Sequence, residues 1–368
     1  MKLLGLVAVT WMACWCGMAQ AAGNTDADHP MRVVAYYPSR VKSNYPCTQV
    51  DFSRMTHLAQ AFVWPLTDGT LNVPANFLYP ELVQAAHAHG VKVIVSMGGG
   101  SKSGNFAAMA NDPGARSNFV GQLTAFCVKN GYDGADIDWE APENATDMAN
   151  FTSLVREIRA AFDAAKPHMS LSAAIQPSPR SGKWLDLDQV KNDLDWLGVM
   201  TYGWHGPWSK YAGHNAPLYG STADPRGPTY CDDGSIQYYL SRHVPREKLL
   251  LGIPLYARVF NATNLYANST GGDWIVYADV QQKLASGWTR VWDATSMVPY
   301  LVNPSHTQLV TYDDPLSVQY KCEYVAKQGL GGVIVWSLGQ DLYEGQTPLL
   351  TVIGSNLLRT ASVPPKSD

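Results

Sequence analysis

Short apolar runs recur along the chain, each followed by enough residues for a helix or a long loop. Eight of them predict strands: Met31–Tyr37, His57–Trp64, Val91–Met97, Gly134–Glu140, Met169–Gln176, Trp196–Tyr202, Leu249–Tyr256 and Gly332–Leu338. Several are nearly unbroken Val, Ile, Leu and Ala, the pattern of strands covered on both faces. Between them apolar positions take helical spacing. This predicts helices over Tyr79–His89, Ala107–Lys129, Ala149–Ala165, Ile236–His243 and Leu316–Gln328, and a last one over Leu349–Thr360. Eight strand–helix units predict an α/β fold, a (β/α)8 TIM barrel, since a doubly wound sheet rarely uses so many similar units. Chemistry in such a barrel belongs at the C-terminal ends of the strands.

Two intervals break the rhythm. Residues 203–232, rich in Gly and Pro, predict a long surface loop over the strand ends. Residues 260–311 hold one helical piece, Tyr277–Ser286, and otherwise turn residues and aromatics, which predicts at most a short insertion between strands seven and eight. The polar tail from Ser362 to Asp368 predicts a frayed end.

At the other end, Met1 and Lys2 precede an apolar run from Leu3 to Met18 and then Ala19-Gln20-Ala21, the pattern of an export signal cleaved after Ala21 or Ala22. The run is too short and lacks the flanking charges of a membrane anchor. The expected organisation is therefore a signal peptide over 1–21 and one catalytic domain over 22–368, secreted, with no membrane contact after cleavage and a monomer. Cys14 and Cys16 would leave with the signal. Cys47, Cys127, Cys231 and Cys322 would remain, and they allow three complete pairings without requiring any. Asn144, Asn150, Asn261 and Asn268 each begin an N-x-Ser/Thr sequon.

Composition narrows the function. With 27 Lys and Arg against 31 Asp and Glu, the chain carries a net charge of −4, which gives no support to a nucleic-acid partner. Twelve Trp and 19 Tyr are unusually many. They suit a core, and equally a groove for flat, uncharged rings.

The densest chemistry lies in the fourth run, where residues 133–140 read Asp-Gly-Ala-Asp-Ile-Asp-Trp-Glu. On a strand, Asp136, Asp138 and Glu140 share one face, with successive members about 6 to 7 Å apart. Three carboxylates facing a barrel interior cannot all stay charged, so at least one should hold a proton near neutral pH. Glu140, last and outermost, is placed to be a general acid. A solvated strand edge is excluded by the Val- and Ile-rich neighbours. A divalent-metal centre is the stronger rival on spacing alone, with Asp341 or His205 as further ligands.

The octet, complete at Asp133, Asp136, Asp138 and Glu140, resembles the D-x-x-D-x-D-x-E signature on the fourth strand of the glycoside hydrolase family 18 chitinases. Ser96-Met97-Gly98-Gly99 is similar to the family's S-x-G-G, and Met200-Thr201-Tyr202 to its M-x-Y. The stretch from Gly252 to Phe260 resembles G-x-P-x-Y-G-R-x-F, and Tyr312-Asp313-Asp314 with the run Gly331–Trp336 resembles the approach to strand eight. These motifs stand in the family's order from about residue 31 to residue 342.

The resemblance implies retaining hydrolysis of β-1,4-linked N-acetylglucosamine in chitin and chitooligosaccharides, with no metal or cofactor. Glu140 would protonate the glycosidic oxygen and then activate water. The substrate's own acetamide oxygen would be the nucleophile. Asp138 would orient the acetamide N–H, Asp136 would share a proton or hydrogen bond with Asp138, and Tyr202 would donate to the acetamide oxygen. Trp336 would floor the −1 sugar and Trp208 would lie on the leaving-group side. Arg258, Tyr36, Phe62, Trp139 and Met200 are further cleft candidates, with Asp133, Ser96, Gly98 and Gly99 as structural residues near the site.

The chain departs from the family at Gly203 and Gly339, where many relatives carry Asp, and at Ala257, where they carry Gly. The interval after Phe260 reads as too short for the family's full α+β cleft wall, which predicts a shallower cleft and endo cleavage. Two alternative functions remain at this point. One is an endo-β-N-acetylglucosaminidase acting on N-glycans; the other is a catalytically silent chitin-binding lectin, although those commonly lack the acid that Glu140 supplies.

Overall fold

The computed structural model describes residues 31–358. The signal segment and the polar tail lie outside the described residues. Eight strands form the barrel: β1 (Arg32–Pro38), β2 (His57–Pro65), β3 (Lys92–Gly98), β4 (Gly134–Asp138), β5 (Ser170–Ile175), β6 (Trp196–Val199), β7 (Leu249–Pro254) and β8 (Gly332–Trp336). Each pairs in parallel with its sequence neighbours. The β8–β1 pairing, with Val33 opposite Val333, closes the ring. All eight predicted runs become barrel strands.

Alternation along the strands sorts their side chains into two layers. In β1, Val33, Ala35 and Tyr37 face the surrounding helices, while Val34 and Tyr36 face the barrel axis with Ile94, Trp196, Leu250 and Ile334. In β4, Ala135 and Ile137 pack outward, which sends Asp136 and Asp138 inward. Helices α1 (Pro80–Ala88), α2 (Phe106–Asn111), α3 (Pro113–Asn130) and α4 (Ala145–Ala165) cover the first half. The single helix expected over Ala107–Lys129 is two, because Pro113 cannot continue a helix interior. Instead Asp112 takes an extended conformation, accepts from the Ala115 amide and caps a new helix with Pro113 in its first turn. The second half is covered by α5 (Asp232–Ser241), α7 (Pro315–Gln328) and α8 (Pro348–Leu357), with α6 (Tyr277–Ala285) in the insertion.

The interval 260–311 corrects the expectation of at most a short insertion and a shallow cleft. The chain runs on from β7 into a strand at Tyr256–Phe260, which joins Gly272–Val276, Leu309–Thr311, Val298–Val302 and Thr289–Asp293 in a five-stranded antiparallel sheet. Helix α6 packs on this sheet around Val259, Val280, Leu301 and Val310. A compact α+β wall therefore stands over the strand ends.

A buried lysine ties this wall to the 203–232 loop. Lys321 Nζ donates to the Ala216 carbonyl at 2.7 Å and to Asp313 Oδ2 at 2.8 Å, with Asp232 Oδ2 at 3.4 Å. Cys47, Cys127, Cys231 and Cys322 are all free thiols. Among the described residues no helix is long and apolar enough to cross a membrane.

Candidate active site

The three acids differ in their surroundings. Asp136 is fully buried and takes three hydroxyl donors: Tyr36 Oη and Ser96 Oγ reach its Oδ2 at 2.8 Å, and Ser172 Oγ its Oδ1 at 2.7 Å. Burial raises its pKa, and those hydroxyls oppose the rise. The donors come from β1, β3 and β5, so three strands hold one carboxylate. Asp138 has no such support. Its Oδ1 is buried with no hydrogen-bond partner. Burial first, then the charges of Glu140 and Asp136, push its pKa well above the carboxylate range. The hydrogen bond expected between Asp136 and Asp138 is not formed; the two interact through charge alone.

Glu140 stands just past β4, at the cleft surface. Its pKa is also raised, by desolvation, with the Gly100 amide pulling the other way. Ser103 fixes its backbone: Ser103 Oγ accepts from the Glu140 amide at 3.2 Å and donates to the Asp138 carbonyl at 3.0 Å. Gly98 and Gly99 permit this close packing. A Cβ on Gly98 would sit 2.3 Å from the Asp138 carbonyl oxygen, and one on Gly99 would sit 2.6 Å from the Phe62 ring. Both have positive φ, so the Gly-Gly pair is needed for shape.

A cleft of about 250 Å³ opens over the row, and Asp138, Glu140, Tyr202, Met200, Tyr36, Phe62, Arg258 and Trp336 line it. The Trp336 ring stacks on Phe62 at 5.6 Å and meets Tyr36 edge-on at 5.7 Å, so its floor position is braced from two sides. Tyr202 is held by its neighbour. Thr201 Oγ1 donates to the Gly252 carbonyl and accepts from the Gly252 amide, each at 2.8 Å, clipping the end of β6 to β7. Burial, then Tyr256 and the acids, raise the Tyr202 pKa far above its ordinary value, so the phenol stays protonated and can donate.

Trp208 stands on the rim, 64% exposed, with the Arg258 guanidinium 4.7 Å from its ring centroid and 4.9 Å from that of Tyr256. Arg258 Nε is buried without a partner, and the guanidinium forms no ion pair among the described residues. Gly203 brings no acidic side chain to this corner. A Cβ there would stand 3.8 Å from the Tyr256 hydroxyl, and one on Gly339 would stand 3.2 Å from Tyr45.

Two candidates lie elsewhere. Trp139 points away from the cleft and stacks on Phe106 at 5.4 Å; it follows Ile137 on the outward face, so strand alternation alone places it in the core. Asp133 sits at the opposite end of β4, where it accepts from the Val93 amide at 2.9 Å and pairs with His87 at 2.7 Å. It secures the foot of the barrel rather than the site. The extra ligands that a metal centre would use are engaged apart from the row: Asp341 Oδ2 accepts from the Leu350 amide, and His205 pairs with Asp224.

Several residues in or behind the cleft carried no signal in the sequence. Ser172 and Ser103 are ordinary serines until β5 and the loop after β3 bring them to the acids. Trp274 lines the cleft from the insertion, paired across its sheet with Arg258, and Arg40, Gly100, Ala174 and Gln340 line it too. Tyr256, part of the strand-seven motif, packs edge-on to Tyr202 at 6.3 Å.

An inward acid row at the mouth of a closed (β/α)8 barrel, sharing a cleft with an indole, is the arrangement of a barrel glycoside hydrolase. Residues 32–341 match the family described as glycosyl hydrolases family 18, and the chain belongs to it. It is 31% identical over 343 residues to a probable endochitinase of Caenorhabditis elegans, a match covering 82% of this chain and 55% of that protein. A class V chitinase of Arabidopsis thaliana is 30% identical over 372 residues, covering 94% and 93%. The second catalytic domain of a group II chitinase of Ostrinia furnacalis superposes with a TM-score of 0.83 at 28% identity, covering 89% of this chain and 96% of that one. The chain spans 41% to 61% of the length of three of the curated relatives it matches.

Proposed function

We propose that the chain is a secreted enzyme that hydrolyses β-1,4-linked N-acetylglucosamine in chitin and chitooligosaccharides with retention, through the substrate's acetamide. The observation that carries this reading is the orphaned, buried Oδ1 of Asp138, in a cleft that Glu140 and Trp336 also line. A buried acceptor without a donor is costly, and an acetamide N–H would satisfy it. Glu140, whose pKa desolvation raises, gives its proton to the glycosidic oxygen as the C1–O bond breaks. The acetamide oxygen forms the new bond to C1, and Tyr202 donates to that group. Water then attacks C1 from the face that the leaving group vacated, Glu140 takes its proton, and the acetamide is released. The export pattern at the amino terminus and the chitinase names of the relatives support the substrate and its extracellular setting.

The test compares wild type with Glu140→Gln on chitin oligomers, following product masses and anomers with time. Early β-anomer products that disappear in the variant are expected. Full turnover by the variant would remove Glu140 from its role, and α-anomer products would remove the acetamide route. Release of glycans from N-glycoproteins in preference to chitin cleavage would favour the endo-β-N-acetylglucosaminidase reading.

A further inference from the structure

The chain leaves β6 abruptly. The Thr201 amide donates to the Val199 carbonyl at 2.8 Å and the Tyr202 amide to the Met200 carbonyl at 2.7 Å, each bond reaching only two residues back. Gly203 then takes φ 71°, in the left-handed region. With no side chain there, the residue after Tyr202 can be anchored only through its backbone. Its anchor is Asn215, which is 1% exposed and lies in the loop over the strand ends. Asn215 Oδ1 accepts from the Gly203 amide at 3.2 Å, and Asn215 Nδ2 donates to the Tyr256 carbonyl at 3.3 Å. An amide N–H can only donate and a carbonyl can only accept, so these partners fix which way the side chain is turned. The Asn215 carbonyl also accepts from the Trp204 amide at 3.1 Å. One buried residue thus joins the end of β6 to the strand that continues from β7.

Asn215 is itself held from both sides. His214 Nε2 lies 2.9 Å from Asp293 Oδ2 in the insertion, and the Ala216 carbonyl accepts from Lys321 Nζ at 2.7 Å. Tyr202 therefore stands between two clips. Thr201 ties the chain before it to Gly252, and Gly203 ties the chain after it, through Asn215, to Tyr256. The rings of Tyr202 and Tyr256 meet edge-on, so Asn215 fixes the backbone beside each member of that pair.

We propose that Asn215 is a positioning residue for Tyr202, setting where the phenol stands as it donates to the substrate's acetamide oxygen. This rests on the hydrolase reading above, in which that donation steadies the acetamide while it attacks C1. Such a contact is only as good as its geometry, and a displacement of about 1 Å can cost about 100-fold in rate. Without Asn215 the Gly203 amide loses its acceptor, and the chain after Tyr202 regains the backbone freedom that glycine allows.

The experiment is a double-mutant cycle on fully acetylated chitin hexamer, with wild type, Asn215→Ala, Tyr202→Phe and the double variant. Asn215→Ala should lower kcat by about tenfold, with KM within about twofold of wild type. In the Tyr202→Phe background the same substitution should cost less than about twofold, because the hydroxyl it positions has gone. A merely structural role would lower the rate equally in both backgrounds. Losses that multiply would therefore overturn the inference, as would an unchanged kcat in Asn215→Ala. Asn215→Asp has the same shape and keeps the acceptor for the Gly203 amide while losing the donor for Tyr256; it enters the same cycle should the alanine variant fold poorly. Full kcat in Tyr202→Phe, or no cleavage by wild type, would instead strike the acetamide reading itself, and shows before Asn215 is altered.

Discussion

The phenol of Tyr36 donates to Oδ2 of Asp136 at 2.8 Å, across 100 residues of sequence and between the first and fourth strands of the barrel. With Ser96 and Ser172 it makes Asp136 the one acid of the row whose charge is well solvated by protein. Asp138 and Glu140 take up the strain of that charge, and the electrostatics of the site follow from it.

Removing a donor should therefore shift the pH profile. In Ser172→Ala, Asp136 holds its proton more tightly and carries less negative charge at a given pH. Its push on Asp138 weakens, so the Asp138 pKa falls, and with it the joint titration of Asp138 and Glu140. The basic limb of kcat/KM should move to lower pH, with a loss of about tenfold or less at the optimum, measured on chitotetraose from pH 4 to 9. An unmoved limb would uncouple Asp136 from the acid.

Wild type should itself lose activity on the alkaline side as Glu140 deprotonates, at a pH above the ordinary glutamate value because burial raises it. Glu140→Gln should cut kcat by roughly 10²- to 10⁴-fold and abolish that limb, with KM changed little. Steady-state rates of the two proteins across pH provide the check.

The two cleft tryptophans should separate kinetically. Trp336 is braced by Phe62 and Tyr36; on the proposed reading it contacts the reacting sugar, so Trp336→Ala should lower kcat/KM by about 100-fold through both constants. Trp208 is an exposed rim residue over Arg258, and Trp208→Ala should raise KM by about threefold to tenfold with kcat nearly intact. Equal effects on kcat would erase the distinction drawn from their positions.

A stability prediction concerns Asp341. Burial pushes its pKa up to about 6 despite the Leu350 amide. Between its ordinary value and about 6 the folded chain binds the extra proton. Its contribution to stability is therefore complete below about pH 4 and is lost as the pH rises through 6, by up to about 3 kcal/mol. Relative to wild type, Asp341→Asn should flatten this part of the stability profile, as read by urea unfolding at pH 5 and 7.5.

The barrel was legible because its strands are buried on both faces and read as continuous apolar runs. The acid row was legible because a period of two puts Asp136, Asp138 and Glu140 on one side. That same period places Trp139 on the other side, beside Phe106, where resemblance alone had drawn it toward the substrate. The insertion was hard to read because its strands, such as Gly272–Val276 and Thr289–Asp293, are short and half exposed and so carry no clean alternation. Ser172 and Ser103 could not be found at all from sequence. Their chemistry comes from a register, Ser172 opposite Asp136, that only the closed barrel defines.

The buried ammonium of Lys321 carries a mechanical consequence. It pins the loop bearing Trp208 and the far end of the insertion bearing Trp274 to one post, and deleting it would strand two interior carboxylates at about 3 to 5 kcal/mol. Two elements bolted to a common pivot keep their spacing. Trp208 and Trp274 therefore hold one spacing whether or not the cleft is filled.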